Sequence, residues 1–467
     1  MEKPTAYIET MGCQMNKLDS ELIAAQLAQA GYLPVDSPEC ASVVVYNTCS
    51  VRQHAEDKVI SKVAQLHHRR QDEPFVLAIV GCMAQRLGQE LLDSHPRVDI
   101  VCGPNQIHQL ARLVQEAQSQ RRRSILLNDP AVNGQLEQLD ASRSADHTVS
   151  PFAAYIRVMR GCNNFCTYCI VPYVRGRETS RPIRHIVDEA RRLVDKGIRE
   201  ITLLGQTVNA YDYAEAGTSY TLADVLEALH DLPGLDRLRF VTSFPRDFHS
   251  SILHAMADLP NVCPYLHLPA QSGSDRVLKL MKRRYTASEY LDLLQEARDI
   301  VGDLTVAGDF IVGFPTETDH DFELTCELLR AARYKNAFIF KYSPRPNTFA
   351  EKNLPDDVPE PVKRKRNTTL LDLQNAISLE DNQRFVGQTV SVLVENLSPK
   401  PHLNTQAPAS EDSGHSDAAS QPTQHPQLIG RTPGDHIVVF NGPTSLIGQI
   451  TPVTVTKASA LTLFAQL

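Results

Sequence analysis

Three thiols stand close together in GCNNFCTYC: Cys162, Cys166 and Cys169, in the spacing C-x-x-x-C-x-x-C. Thiolates on so short a loop reach three corners of an iron–sulfur cubane and leave its fourth iron open. Such clusters normally take four cysteines, so a three-cysteine loop implies that a substrate or cofactor completes the coordination. The alternative is zinc, with Cys263 or His185 as a distant fourth ligand; structural zinc more often pairs two C-x-x-C knuckles, or one knuckle with histidines. A second trio is dispersed. Cys13 follows AYIETMG, Cys49 follows SVVVYNT and Cys82 follows FVLAIVG, each at the end of an apolar, β-prone run. Loops after parallel strands meet at the carboxyl edge of a sheet, so these three would converge in space. The bland reading of each is a small buried residue at a strand end. Cys102 follows the next run as a bystander or a fourth ligand, and Cys40, Cys263 and Cys326 read as structural.

The elements needed to position these thiols are legible as alternation. From residue 5 to about 105, apolar runs alternate with helical patterns such as SELIAAQLAQAG, which reads as a small parallel α/β sheet. A second series runs from FAAYIRVMRGC through REITLLGQ, RLRFVTS, CPYLHLPA, TVAGDFIVGF and NAFIFKYS, with helices between some of them. Six strand candidates in this order fit a partial or complete (β/α) barrel, whose chemistry gathers at the carboxyl ends of its strands. The helical stretch from PEPVKRKR closes that unit. QTVSVLVEN, DHIVVFNG and VTVTKASALTLFA then suggest a small β barrel. The predicted boundaries are 4–120 for the first domain, 121–147 for a polar linker, 148–380 for the barrel and 383–467 for the tail. A Pro-, Ser- and Gln-rich insertion at about 398–427 cannot repay its ordering entropy and reads as a disordered loop.

Composition narrows the class. The 467 residues are 42% hydrophobic and 22% charged, which suits a multidomain globular protein. No run approaches the eighteen or so apolar residues of a membrane span, and MEKPTAYIET lacks a signal-peptide layout, so a cytoplasmic location with no membrane partner is expected. The ten cysteines then read as reduced ligands rather than a disulfide scaffold. A net charge of -8 means that any nucleic acid must be gripped by local patches. Arg175, Arg177, Arg181 and Arg184 flank the cysteine loop, MKRRY supplies Lys282, Arg283 and Arg284, and KRKR supplies 363–366; each run is alternatively a solvated helix face.

With these residues in view, C-x-x-x-C-x-aromatic-C at a first barrel strand resembles the radical S-adenosylmethionine enzymes. The wider wording resembles the methylthiotransferases, on their bacterial tRNA-2-methylthio-N(6)-dimethylallyladenosine synthase branch. The resemblance is carried by TMGCQMNKLDSE, YNTCSVR, GCMAQR, MRGCNNFCTYCIVPYVRGRETSR, LHLPAQSGSDRVLKLMKRRYT, GDFIVGFPTET and YSPRPNTFA, and by LIGRT and VVFNG of an RNA-binding TRAM module. It covers all three segments. It departs at Phe244, where the family commonly has histidine, and at Thr316, where it has glycine.

The resemblance implies a [4Fe-4S] cluster on Cys162, Cys166 and Cys169 whose open iron binds S-adenosylmethionine, and a second on Cys13, Cys49 and Cys82 that carries or donates sulfur. It implies a cofactor pocket touched by Tyr168, Gln206, Asn209 and Asp309, with Gln271 and Ser272 nearby. It further implies methylthiolation of carbon 2 of N(6)-isopentenyladenosine at position 37 in a tRNA anticodon stem-loop. An electron donor such as flavodoxin or ferredoxin and a monomeric enzyme complete the expectation. Sister reactions are methylthiolation of threonylcarbamoyladenosine in tRNA or of a ribosomal-protein aspartate. From another class comes an RNA-binding protein with structural or redox-sensing clusters, which an open-coordination loop does not favour.

Overall fold

The computed structural model describes residues 3–50, 53–69, 74–128, 133–141, 143, 148, 150–399 and 425–467. The chain opens with six parallel strands: β1 (Thr5–Met11), β2 (Leu33–Pro34), β3 (Val43–Thr48), β4 (Val76–Gly81), β5 (Ile100–Cys102) and β6 (Ser124–Leu126). Their order is β2-β1-β3-β4-β5-β6. β3 and β4, VVVYNT and VLAIVG, are buried along their whole length, as central strands covered by helices on both faces must be. The helix Gln14–Gln29 sends Leu18, Leu22 and Leu27 into one of the cores against this sheet.

The polar segment expected as a linker is partly built into the fold. Ser124–Leu126 adds the sixth strand, and Asn133–Ala141 is a helix. Its acidic side chains have buried partners: Asp140 pairs with Arg157 and, at 3.1 Å, with Arg160, while Glu137 pairs with Arg181 at 2.8 Å. Polarity here serves an interdomain ion network, and composition alone does not separate that from a solvated tether. Most of the predicted tail insertion, residues 400–424, lies outside the described residues.

The second unit has six parallel strands in sequential order: β7 (Ala153–Arg157), β8 (Glu200–Leu204), β9 (Arg237–Val241), β10 (Tyr265–His267), β11 (Thr305–Val312) and β12 (Asn336–Lys341). They form two three-stranded sheets, linked by a parallel bridge between Leu238 and Val262. The result is an open, partial barrel with β7 and β12 at its free edges. The helix Glu360–Gln383 packs along β12.

Five strands close the C-terminal barrel: β13 (Thr389–Leu397), β14 (Gln427–Arg431), β15 (Ile437–Asn441), β16 (Ile450–Ala458) and β17 (Thr462–Gln466), in order β13-β14-β15-β17-β16. It docks at the N-terminal ends of the partial barrel's strands. There Arg237 donates to the carbonyls of Arg431 (2.6 Å) and Ser391 (3.2 Å), and Arg239 to those of Pro433 (2.7 Å) and Thr432 (2.8 Å). Among the described residues, no helix is long and apolar enough to cross a membrane.

Candidate active site and cysteine centres

The dispersed trio meets at the carboxyl edge of the first sheet. Cys13 caps the helix that follows β1, Cys49 follows β3 directly, and Cys82 opens the helix Cys82–Leu87 after β4. Asn16 knits the loops, donating from Nδ2 to Asn47 Oδ1 (2.9 Å) and the Thr48 carbonyl (3.0 Å), while its Oδ1 accepts from Cys13 Sγ at 3.2 Å. Gly81 has φ +95°, and a Cβ there would lie 2.5 Å from the Thr48 carbonyl, so glycine is what lets Cys82 follow the strand so closely. The Cys13 thiol is brought down to about 6, first by a hydrogen bond from Cys49 and then by the charge of Arg175. Cys82 is pushed up by burial, against the pull of the same guanidinium.

The local trio sits on the loop that leaves β7 by way of the short strand Met159–Arg160. Gly161 has φ +73°, and a Cβ there would meet the Arg177 carbonyl at 2.0 Å, so Cys162 too needs a preceding glycine. The loop is pinned throughout. Cys162 N–H donates to the Gly176 carbonyl (3.1 Å), Thr167 N–H to that of Met281 (3.1 Å) and Cys169 N–H to that of Cys166 (3.0 Å). Cys162 Sγ lies 3.3 Å from Thr207 Oγ1, and Arg283 Nη1 donates to Cys166 Sγ at 3.6 Å. Burial raises Cys169 strongly and the neighbouring Cys166 and Cys162 thiols add to it; Cys162 is raised by burial as well. A metal centre bound by these thiols would have to displace their protons.

One thiol of each trio, Cys13 and Cys169, borders a common space. A cavity of about 1670 Å³ is lined by Cys13 and Lys17 from one domain and by Tyr168, Cys169, Gln271 and Asp309 from the other. Of the residues expected to touch a cofactor, Tyr168, Gln271 and Asp309 therefore face this cavity. Gln206 Oε1 is buried with no protein partner, an orphaned acceptor beside the barrel trio's strand ends. Asn209 is placed differently: its amide donates to the carbonyls of Phe244 and Asp247 (both 2.9 Å) and its Oδ1 accepts from Phe244 N–H (2.7 Å), so it braces the turn after β9. Ser272 is buried 3.3 Å from Thr325 Oγ1. His267, not singled out from sequence, places Nε2 3.1 Å from Asp309 Oδ2, off the axis of a proper hydrogen bond. The signal was there in LHLPAQ: a histidine on an inward-facing position one strand away from Asp309.

The basic residues separate into two sets. Arg177, Lys282 and Arg284 are exposed, beside the exposed rings of Phe165 and Tyr173. Arg175, Arg181 and Arg283 are buried and turned inward, which corrects their expected place on an RNA surface. Arg181 pairs with Glu189 at 2.8 Å, and Arg283 donates to the Pro269 carbonyl at 2.7 Å. A guanidinium closed in by protein acceptors is not available to a phosphate. Lys363 and Arg366 of KRKR are likewise buried, Arg366 on Glu317 at 2.7 Å, whereas Arg364 and Lys365 are exposed. Arg184 is exposed, 3.8 Å from Glu215.

The donors offered for zinc lie elsewhere. Cys263 is buried against Arg239 and Arg237 near the C-terminal barrel, and His185 Nδ1 lies 3.1 Å from Glu137. Among the described residues, no three Cys, His, Asp or Glu side chains converge on a point that would hold a single ion. Cys102 packs in the apolar core under the first sheet, its thiol pushed up by burial to about 12.

Comparison with known proteins agrees with this arrangement. Residues 5–103 match the uncharacterized protein family UPF0004, 156–329 the radical SAM superfamily and 422–467 the TRAM domain. The chain is 42% identical to a tRNA-2-methylthio-N(6)-dimethylallyladenosine synthase of Rhodopirellula baltica, over 99% of this chain and 95% of that one. It is 40% identical to a protein of the same name from Syntrophotalea carbinolica, over 97% of each. One from Phocaeicola vulgatus is 39% identical, over 99% of this chain and 95% of its own. The radical S-adenosylmethionine methyltransferase TsrM of Kitasatospora setae, solved with cobalamin and a [4Fe-4S] cluster, shares the fold at a TM-score of 0.50 and 13% identity, over 84% of this chain and 81% of that one. An iron–sulfur cluster and S-adenosylmethionine follow from the superfamily, and the chain is a radical-SAM transferase of a sulfur-containing group. With its two cysteine centres opening on one cavity and full-length relatives of a single name, this chain belongs to the tRNA-2-methylthio-N(6)-dimethylallyladenosine synthase family.

Proposed function

We propose that the protein methylthiolates carbon 2 of N(6)-isopentenyladenosine at position 37 of tRNA, using S-adenosylmethionine and two [4Fe-4S] clusters, one on each cysteine trio. The observation that carries this reading is the shared cavity: Cys13 and Cys169 line the same space, so a base held there is within reach of both centres. Cys162, Cys166 and Cys169 would hold the cluster that binds S-adenosylmethionine, and the pair would supply radical chemistry by reductive cleavage of the cofactor. The chain's own residues bind and exclude. Gln206 Oε1 offers an unshared acceptor, and the ring of Tyr168, edge-on to Phe314 at 6.4 Å, walls the cofactor side of the cavity. Exposed Arg177, Lys282 and Arg284 offer charge to phosphates around the loop, with the C-terminal barrel as a second RNA contact. A base in an anticodon loop leaves its stack at little cost and can enter such a cavity. A flavodoxin- or ferredoxin-type donor would supply the electron. The relatives' shared name speaks for isopentenyladenosine and gives no support to threonylcarbamoyladenosine or a ribosomal-protein aspartate.

The test is anaerobic reconstitution with reductant, S-adenosylmethionine and isopentenylated tRNA, followed by nucleoside mass spectrometry. The methylthio product is expected. Cys166→Ala is expected to abolish cofactor cleavage, and Cys49→Ala to leave cleavage while stopping sulfur insertion. Full product from the Cys49 variant would remove the auxiliary centre from the reaction.

A further inference from the structure

Arg175 connects the two cysteine centres through a single side chain. It ends the helix Val171–Arg175, which begins two residues after Cys169, yet its guanidinium crosses into the N-terminal domain. Nε donates to Cys82 Sγ at 3.2 Å, and Nη1 lies 2.8 Å from Asp19 Oδ2. Nη2 is buried and has no protein partner, in a side chain only 4% exposed. Asp19 does not neutralise Arg175 alone, because its Oδ1 also takes Arg157 at 3.0 Å. Of the guanidiniums in this network, that of Arg175 stands against the cysteine centre, with Cys82 on Nε and Nη2 unshared.

That arrangement makes poor sense around neutral thiols. A thiol sulfur is a weak acceptor, and a buried donor without a partner is costly. Around thiolates and sulfides the same guanidinium gains charge-assisted hydrogen bonds. We propose that Arg175 is a positioning residue of the centre formed by Cys13, Cys49 and Cys82, donating from Nε to the Cys82 thiolate and from Nη2 to a cluster sulfur, and thereby raising that cluster's reduction potential. The proposal rests on the auxiliary-cluster reading above. Hydrogen bonds and positive charge at the sulfurs favour the more negative, reduced cluster. Because Arg175 lies six residues beyond Cys169, the same contact ties the auxiliary centre to the loop that carries the other one.

The experiment uses the full chain with Cys162, Cys166 and Cys169 all changed to Ala, so that one centre remains. Iron is measured first: about four atoms per chain are expected after anaerobic reconstitution. If none bind while Arg175 is intact, the auxiliary cluster itself is lost as a reading, and this proposal with it. With iron bound, the midpoint is read by EPR during titration with dithionite. Arg175→Gln is expected to shift the reduction equilibrium at least tenfold toward the oxidised form, ~59 mV lower for one electron. Arg175→Lys, which keeps the charge but not the fork, should shift it less. Asp19→Asn, which keeps Arg175 and removes an anion, should shift it upward. Should Arg175→Gln fail to take up iron, the Lys and Asp19 variants decide. Midpoints equal to that of the parent, or shifts of one sign in Arg175 and Asp19 variants alike, would overturn the proposal.

Discussion

The guanidinium of Arg283 lies 4.3 Å over the ring of Phe244 while its Nη1 reaches Cys166 Sγ at 3.6 Å. Phe244, where the family resemblance implies histidine, is therefore the platform under the arginine that braces Cys166. Arg283 also donates to the Tyr285 hydroxyl (2.9 Å) and the Pro269 carbonyl (2.7 Å). Arg283→Ala removes the shorter of the two bonds to the buried Pro269 carbonyl, leaving the Tyr285 hydroxyl at 3.3 Å, so a loss of about 1–3 kcal/mol is expected in urea unfolding. The barrel centre should lose its iron while the N-terminal centre keeps its own, read as roughly half the iron of the parent chain. Undiminished iron in a folded Arg283→Ala protein would show that the loop holds its shape unaided.

Asp140 carries the interdomain network. It faces Arg157, Arg160 (3.1 Å) and Arg181 (3.7 Å), and against the opposing effect of burial these arginines hold its carboxyl well below the usual range. Arg157 is fully buried and keeps Asp19 when Asp140 is neutralised, but the buried network is left one carboxylate short. Asp140→Asn is expected to cost about 3–5 kcal/mol, measured by chemical denaturation. The junction should also be cut faster by protease, although Arg157 keeps its pairing with Asp19 of the N-terminal domain. A cost below ~1 kcal/mol would mean that apolar packing alone joins the domains.

His436 makes the docked C-terminal barrel sensitive to acid. Burial first, and Lys335 second, bring its imidazole down to about 4, with Asp435 and Asp381 opposing. Between the unfolded value of about 6.5 and that folded value, the unfolded chain holds a proton that the folded chain does not. Stability is therefore full above about pH 6.5 and falls as pH drops toward 4, by up to ~3 kcal/mol from this group. The ring packs on Phe385 with centroids 4.7 Å apart, so protonation should weaken the contact between the closing helix and the small barrel. His436→Gln is expected to flatten the dependence of melting temperature between pH 7 and 5. Parallel curves for parent and variant would assign the acid sensitivity to other groups.

Thr316 is strained. It sits at φ +65°, a left-handed conformation that a β-branched residue adopts at a cost of roughly 1–2 kcal/mol. Its Oγ1 accepts from Arg276 at 3.0 Å, an exposed bond that returns little of that cost. Thr316→Gly is expected to stabilise the protein by ~0.5–1 kcal/mol after the added entropy of glycine in the unfolded chain is counted. A lower melting temperature would show that the Arg276 bond outweighs the strain.

The sequence by itself determined the local chemistry. Three cysteines within one turn-sized loop can only act together, and the alternation of apolar runs with helical periods places Cys13, Cys49 and Cys82 at equivalent strand ends, because parallel strands send every following loop to the same edge. Tertiary structure alone decided which charges face inward. Arg175, Arg177 and Arg181 are indistinguishable as letters in VRGRETSR, yet one meets Cys82, one meets solvent and one meets Glu137 and Glu189. The same holds for Glu137 and Asp140, which read as a polar tether and turn out to face buried arginines across the domain junction. Periodicity reports how a residue stands toward its own helix or strand. Whether its charge is buried depends on partners more than a hundred residues away, such as Asp19 for Arg157, and that pairing is set only when the domains pack.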